Sequence, residues 1–169
     1  MCGIAGVFSY KQLLNVNELE IEKMCNYMHF RGPDSSGNWF SEKKDIGLGH
    51  TRLSIIDLTS RAAQPMNSSK NHLTIVFNGE IYNYIELKEM LQQHGYIFSS
   101  NSDTEVLLNL YDKYGHEMVN HLKGMYAFAI WDEINSGLFI ARDPYGIKPL
   151  YYSDYNGVFR FSSVVKGLL

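Results

Sequence analysis

Met1-Cys2-Gly3-Ile4-Ala5-Gly6-Val7-Phe8 sets a thiol in second position and follows it at once with a strand of small and branched residues. If Met1 is removed, Cys2 carries both a nucleophilic thiol and a free α-amine of pKa ~7.7–8, which can take the thiol proton near neutral pH. No separate histidine base is then needed. The alternative at this point is an incidental or buried cysteine, because a free cysteine often packs as a small hydrophobe. The residues downstream have to decide between the two.

Working outward from residues 3 to 8, the next periodic segment places Ile21, Met24, Cys25 and Met28 at helical spacing behind Asn17, a candidate N-cap with Glu20 three positions on. Cys25 then reads as a core thiol. Residues 30 to 37 are dense in turn formers and read as a loop, and residues 46 to 50 return to strand character. A second loop covers Thr59 to Ser69. Residues 73 to 77 form an apolar run that enters Asn78-Gly79, a pair that by itself also reads as a hairpin turn. Ile85, Met90 and Leu91 mark a helix stopping at Gly95, and Asp103 stands as an N-cap before Val106, Leu107, Leu110 and Tyr111, with Gly115 as the stop. The last third has aromatic and β-branched runs broken by Asn135-Ser136-Gly137 and Asn156-Gly157, which predicts a β-meander. Strands at both ends with helices between them indicate an α+β domain whose helices cover sheets. No repeat, low-complexity tract or linker divides residues 1–169, so one domain is expected.

Composition narrows the partners. The 169 residues carry a net charge of -3, which offers no basic footprint for nucleic acid or for an anionic membrane surface. With two cysteines, no CxxC and no HExxH, neither a disulfide framework nor a metal site is expected. The chain lacks a basic, apolar leader and any run of ~18 apolar residues, so a cytoplasmic location is expected.

Six segments, taken in order, are specific: Met1-Cys2-Gly3-Ile4-Ala5-Gly6, Arg31-Gly32-Pro33-Asp34, His50-Thr51-Arg52-Leu53-Ser54-Ile55-Ile56-Asp57, Phe77-Asn78-Gly79-Glu80-Ile81-Tyr82-Asn83, Ser102-Asp103-Thr104-Glu105 and the run from Ala141 to Tyr152 that contains Arg142-Asp143-Pro144-Tyr145-Gly146-Ile147-Lys148-Pro149. In that order they resemble the class II glutamine amidotransferases, and among them the glutaminase domain of glutamine-hydrolysing asparagine synthetases. The resemblance covers nearly the whole chain. It implies an N-terminal nucleophile hydrolase fold, a four-layer αββα sandwich with two antiparallel sheets. It also implies that Cys2 attacks the side-chain amide of L-glutamine and forms a thioester, with the Asn78 carboxamide and the Gly79 N–H as oxyanion donors. Arg52 would take the substrate carboxylate and Asp103 the ammonium, helped by Glu80 and by backbone groups near Leu53, Ile55 and Ile56. That half-reaction needs no cofactor or metal. Arg31 to Asp34 would brace the pocket wall, Arg142, Asp143, Gly146 and Lys148 would form a structural loop, and His50 would be a hydrogen-bonded structural histidine.

Two departures from the family pattern stand out: Phe30 where many relatives carry histidine, and Val164 where the family usually shows an acid. In relatives an ATP-dependent synthetase domain follows, and its Ser-Gly-Gly-x-Asp-Ser segment does not occur in these 169 residues. ATP and Mg are therefore expected only on a synthetase domain or subunit that receives the ammonia. A non-catalytic scaffold of the same fold and a different N-terminal nucleophile amidase remain the competing functions, and homo-oligomerisation stays open.

Overall fold

A computed structural model describes residues 1–11, 15–53, 62–68 and 72–169. Two antiparallel sheets lie at the centre. The first has five strands in the order β2-β3-β1-β9-β8, with β1 Gly3–Ser9, β2 Ser35–Phe40, β3 Ile46–Arg52, β8 Tyr151–Tyr155 and β9 Val158–Ser162. The second has four in the order β4-β5-β6-β7, with β4 Met66–Asn67, β5 Leu73–Ile81, β6 Gly124–Asp132 and β7 Gly137–Arg142. Three helices, α1 Glu18–Met28, α2 Tyr84–Gln93 and α3 Asp103–Tyr114, cover them.

Side-chain alternation along the strands generates the layers. On β1, Ile4 faces inward with Ile46, Leu48 and Phe161 against Val76, Ala127, Ala129 and Trp131 of the second sheet. Ala5 and Val7 face outward onto Ile21, Met24, Cys25 and Met28 of α1. On the second sheet Ile75, Phe77, Phe128 and Ile130 point away from the first and pack under Leu87, Leu91, Val106, Leu107 and Leu110 of α2 and α3. Three apolar layers between helix, sheet, sheet and helices give the αββα sandwich. Burial pushes the Cys25 thiol up to about 11, so it packs as a core residue.

Local structure departs from the sequence-based expectation at five places. Asn78 and Gly79 lie within β5, opposite Ala127 and Tyr126 of β6, and form no turn; pairing along nine residues overrides the local preference. Ser35, Ser36 and Gly37 belong to β2, where they pair with Arg52, Thr51 and His50. Ser102, whose side chain accepts from the Thr104 N–H, is the N-cap of α3, and Asp103 is its first helical residue. The C-terminal strands form two hairpins in different sheets, β6-β7 in one and β8-β9 in the other, and no continuous meander. The expected loop at Thr59 to Ser69 contains β4, while residues 54–61 and 69–71 lie outside the described residues. By contrast, Asn17 caps α1 as expected, accepting from the Leu19 N–H at 2.9 Å. Gly115, with φ of 55°, ends α3.

Candidate active site

The short length of β4 makes the site. Met66 pairs with Ile75, so from Phe77 onward β5 has no strand neighbour on that side. The N–H groups of alternate residues then project from a bare edge. Two are met by side chains: the Phe77 N–H donates to Gln64 Oε1 at 2.6 Å and the Ile81 N–H to Asp103 Oδ2 at 3.2 Å. Between them lies Gly79. Its partner across the sheet, Tyr126, turns both backbone groups toward Asp143: the N–H donates to the Asp143 carboxylate at 3.3 Å and the carbonyl accepts from the Asp143 N–H at 2.8 Å. Gly79 and Tyr126 are therefore a pair without ladder bonds, and the Gly79 N–H points away from β6 with no hydrogen-bond partner among the described residues. A Cβ at position 79 would collide with the Met125 carbonyl and the Phe77 ring, so only glycine fits.

Beside it, the Asn78 side chain is 1% exposed, and its Nδ2 has no partner. Leaving a buried donor unmatched costs about 1–3 kcal/mol. Two donors on neighbouring residues thus stand open on one cleft.

Cys2 lines the same cleft. Its thiol donates to the Leu53 carbonyl at 3.6 Å and accepts from the Leu53 N–H at 3.4 Å, so one peptide unit holds the sulfur. The Cys2 carbonyl accepts from Arg31 Nε at 3.0 Å, and burial draws the Arg31 pKa below its ordinary value. The adjoining loop is tied to the end of β3, where Pro33 bridges to Arg52 and the Asp34 N–H donates to the Arg52 carbonyl at 3.1 Å. Met1 sits at the cleft, 57% exposed. While it is attached, the Cys2 nitrogen is a peptide amide.

Charge is distributed along the cleft. Arg52 and Lys148 supply cations, and Glu80 and Asp103 supply carboxylates. Burial, with a smaller push from the Glu80 charge, raises the Asp103 pKa to about 6 even though backbone N–H groups oppose the shift. Two acids close enough to repel one another make a place for a cation.

Of the residues singled out from the sequence, Cys2, Arg52, Leu53, Asn78, Gly79, Glu80 and Asp103 all line this cleft; Ile55 and Ile56 fall outside the described residues. His50 lies apart from the cleft, buried between the sheets. Its partner is the Phe77 carbonyl at 3.1 Å, which requires the proton on Nε2, and burial pulls its pKa down to about 4. Gln64, Ser102, Thr104, Met125 and Lys148 also face the cleft and had not been singled out as binding residues. Gln64 spans from β5 to α3, because its Nε2 donates to Thr104 Oγ1 at 3.3 Å. In the sequence it lies within the segment read as a second loop. Lys148 had been read as part of a structural loop. Among the described residues no cluster of three or more His, Cys, Asp or Glu side chains could hold a metal ion, and no helix is long and apolar enough to cross a membrane.

An αββα sandwich with a strand-start thiol facing open donors defines an amidotransferase of the N-terminal nucleophile type, and sequence comparison agrees. The family model described as a glutamine amidotransferase domain matches residues 1–169. This chain belongs to that family. It is 46% identical over its whole length to a Bacillus subtilis protein named asparagine synthetase [glutamine-hydrolyzing] 1, of which it spans 27%. It is 38% identical, again over its whole length, to the amidase chry2 of Gibberella zeae, of which it spans 26%. Among solved structures, the glutamine phosphoribosylpyrophosphate amidotransferase from B. subtilis, complexed with ADP and GMP, superposes with a TM-score of 0.80 at 23% identity, over 99% of this chain and 43% of that one. That likeness concerns the fold. The chain covers about a quarter of the two relatives it matches in sequence.

Proposed function

We propose that this domain hydrolyses the side-chain amide of L-glutamine to glutamate and ammonia through a thioester on Cys2. The pair of open donors, Asn78 Nδ2 and the Gly79 N–H, on the cleft that Cys2 lines carries the proposal. Once Met1 is removed, the freed α-amine takes the thiol proton as sulfur bonds to the amide carbon, and the carbonyl electron pair moves onto oxygen. Asn78 and Gly79 donate to that oxyanion from a site built before the substrate arrives. The protonated amine then gives its proton to the departing nitrogen, ammonia leaves, and water cleaves the thioester. Arg52 would bind the α-carboxylate, and Asp103 with Glu80 the α-ammonium; Leu53, Ile55 and Ile56 would add backbone contacts.

The names of the asparagine synthetase relatives support a further step, transfer of the ammonia to an ATP-dependent acceptor domain, where ATP and Mg would act. The likeness to a protein named as an amidase leaves the acceptor carboxylate open.

The test is turnover of glutamine by protein shown by intact mass to lack Met1. Glutamate should form, and Cys2→Ala should abolish it. A version with an uncleavable extension before Cys2 should fold and stay inactive. Wild-type turnover in either variant would place the nucleophile or the base elsewhere, and no turnover by the processed wild type would favour the non-catalytic scaffold.

A further inference from the structure

Lys148 is 6% exposed, lines the cleft, and among the described residues its ammonium has no hydrogen-bond or ion-pair partner. The stem is buried while the partnerless ammonium opens on the cleft, and a cation held in such a place is a candidate for function. Asp143, the nearest acid in sequence, does not neutralise it. Its Oδ1 accepts from the Tyr145 and Ile147 N–H groups at 3.2 and 2.9 Å, and its Oδ2 from those of Tyr126 and Lys148 at 3.3 and 3.0 Å.

The loop that carries Lys148 is built to present it. The Lys148 N–H is held by Asp143, and its carbonyl accepts from Arg142 Nε at 2.7 Å. Arg142 Nη2 donates to the Gly146 carbonyl at 2.6 Å, and Gly146 turns the chain at φ of 64°. Arg142, Asp143 and Gly146 thus act as a clamp around the backbone of one lysine. The clamp is anchored next to the open donors, since Asp143 bonds both backbone groups of Tyr126, the residue opposite Gly79.

Charge arithmetic gives the lysine its task. Arg52 and Lys148 together match Asp103 and Glu80 in charge and a bound amino acid is itself neutral, so the cleft is balanced before attack, and Lys148 is the cation in it that no side chain engages directly. The negative charge still to come is the one that forms on the side-chain oxygen during attack. Resting on the glutaminase function proposed above, we propose that the Lys148 ammonium is a third, charged element of the oxyanion site, contacting the side-chain end of the substrate beside Asn78 and Gly79.

Lys148→Met keeps length and removes charge, while Lys148→Arg keeps charge. In Met1-processed protein the methionine variant should lose about 10²-fold in kcat, the scale of a lost oxyanion donor, with KM within about twofold of wild type, and the arginine variant should recover most of the rate. Two ligands separate charge stabilisation from substrate recognition. L-Norvaline offers the same α-groups without an amide, and its inhibition constant should not change. Glutamate γ-semialdehyde adds to the thiol: sulfur bonds to the aldehyde carbon, the carbonyl electron pair moves to oxygen, and the thiol proton passes to the amine, with no leaving group and no redox change. Its affinity should fall with kcat in Lys148→Met.

If the methionine variant melts early or does not fold, Lys148→Gln takes the same tests. Wild-type kcat in a folded, neutral variant overturns the assignment. So does a loss confined to KM and to norvaline binding, which would move the lysine to the substrate carboxylate. If the wild-type protein itself does not hydrolyse glutamine, the glutaminase function falls and takes the lysine's role with it.

Discussion

Asn78 and Arg52 should fail in different ways when altered. Asn78→Ala removes a donor whose target exists only as charge develops, so kcat should fall by about 10²-fold or more while KM changes little. Arg52→Lys retains charge and loses the planar fork, so KM for glutamine should rise about tenfold with kcat largely kept. Steady-state kinetics on the two variants separates these outcomes, and the reverse pattern would exchange their roles. Asp103 makes a pH prediction. With its pKa at about 6 in the free protein, it becomes neutral as pH falls through that value and loses its attraction for an ammonium. Below the limb set by the α-amine, the kcat/KM profile should therefore steepen at a second step near 6. Asp103→Asn should bind weakly at every pH and lack that second step; an unchanged step would assign it to another group. Which residues meet at the cleft was legible mainly through the family resemblance, which named Cys2, Arg52, Asn78, Gly79, Glu80 and Asp103, all of which line it. Lys148 was the exception. Lysine is ordinarily a surface residue, and nothing in the residues around it discloses that its stem is buried and its ammonium turned into the cleft.

Along β5 and β6, the decisive feature is backbone direction. Gly79→Ala should fold less stably and lose most activity, since the added methyl collides with the Met125 carbonyl and the Phe77 ring, shifting the strand that carries Asn78. Thermal melting together with glutamine turnover measures both, and a stable, fully active Gly79→Ala would show that the N–H at 79 is not used. The failures of sequence reading also belong to elements. Asn17 was legible because a cap acts over two residues. Asn78-Gly79 was not, because its nine-residue strand is specified by partners some fifty positions away in β6. Ser102 and Asp103 are both good capping types, and only helix phase decides which one caps and which is left to hold the Ile81 N–H.

For the molecule as a whole, two buried groups should pull stability in opposite directions over the same pH range. Burial lowers the His50 pKa from 6.5 to about 4, so its contribution is complete above 6.5 and is lost as pH falls toward 4. Burial raises Asp103 from 3.8 to about 6, so its contribution is complete below 3.8 and is lost as pH rises toward 6. Each amounts to roughly 3 kcal/mol across its window at about 1.4 kcal/mol per pKa unit, and in the wild type they offset. Urea titrations at pH 4 and 6.5 should show that, relative to wild type, His50→Gln becomes less stable as pH rises and Asp103→Asn more stable. Parallel curves for all three proteins would remove both groups from the account. The sandwich itself was legible from the order of strands and helices and from the family resemblance. Which sheet each C-terminal hairpin joins was not, since alternation identifies a buried face without naming the layer against which it lies. One consequence reaches beyond catalysis. A bare strand edge invites strands from other molecules and is a usual starting point for aggregation. Beyond β4, Gln64 and Asp103 supply acceptors to the edge of β5 in place of a neighbouring strand's carbonyls, so an intruding chain would have to displace two internal bonds to gain the single amide left open.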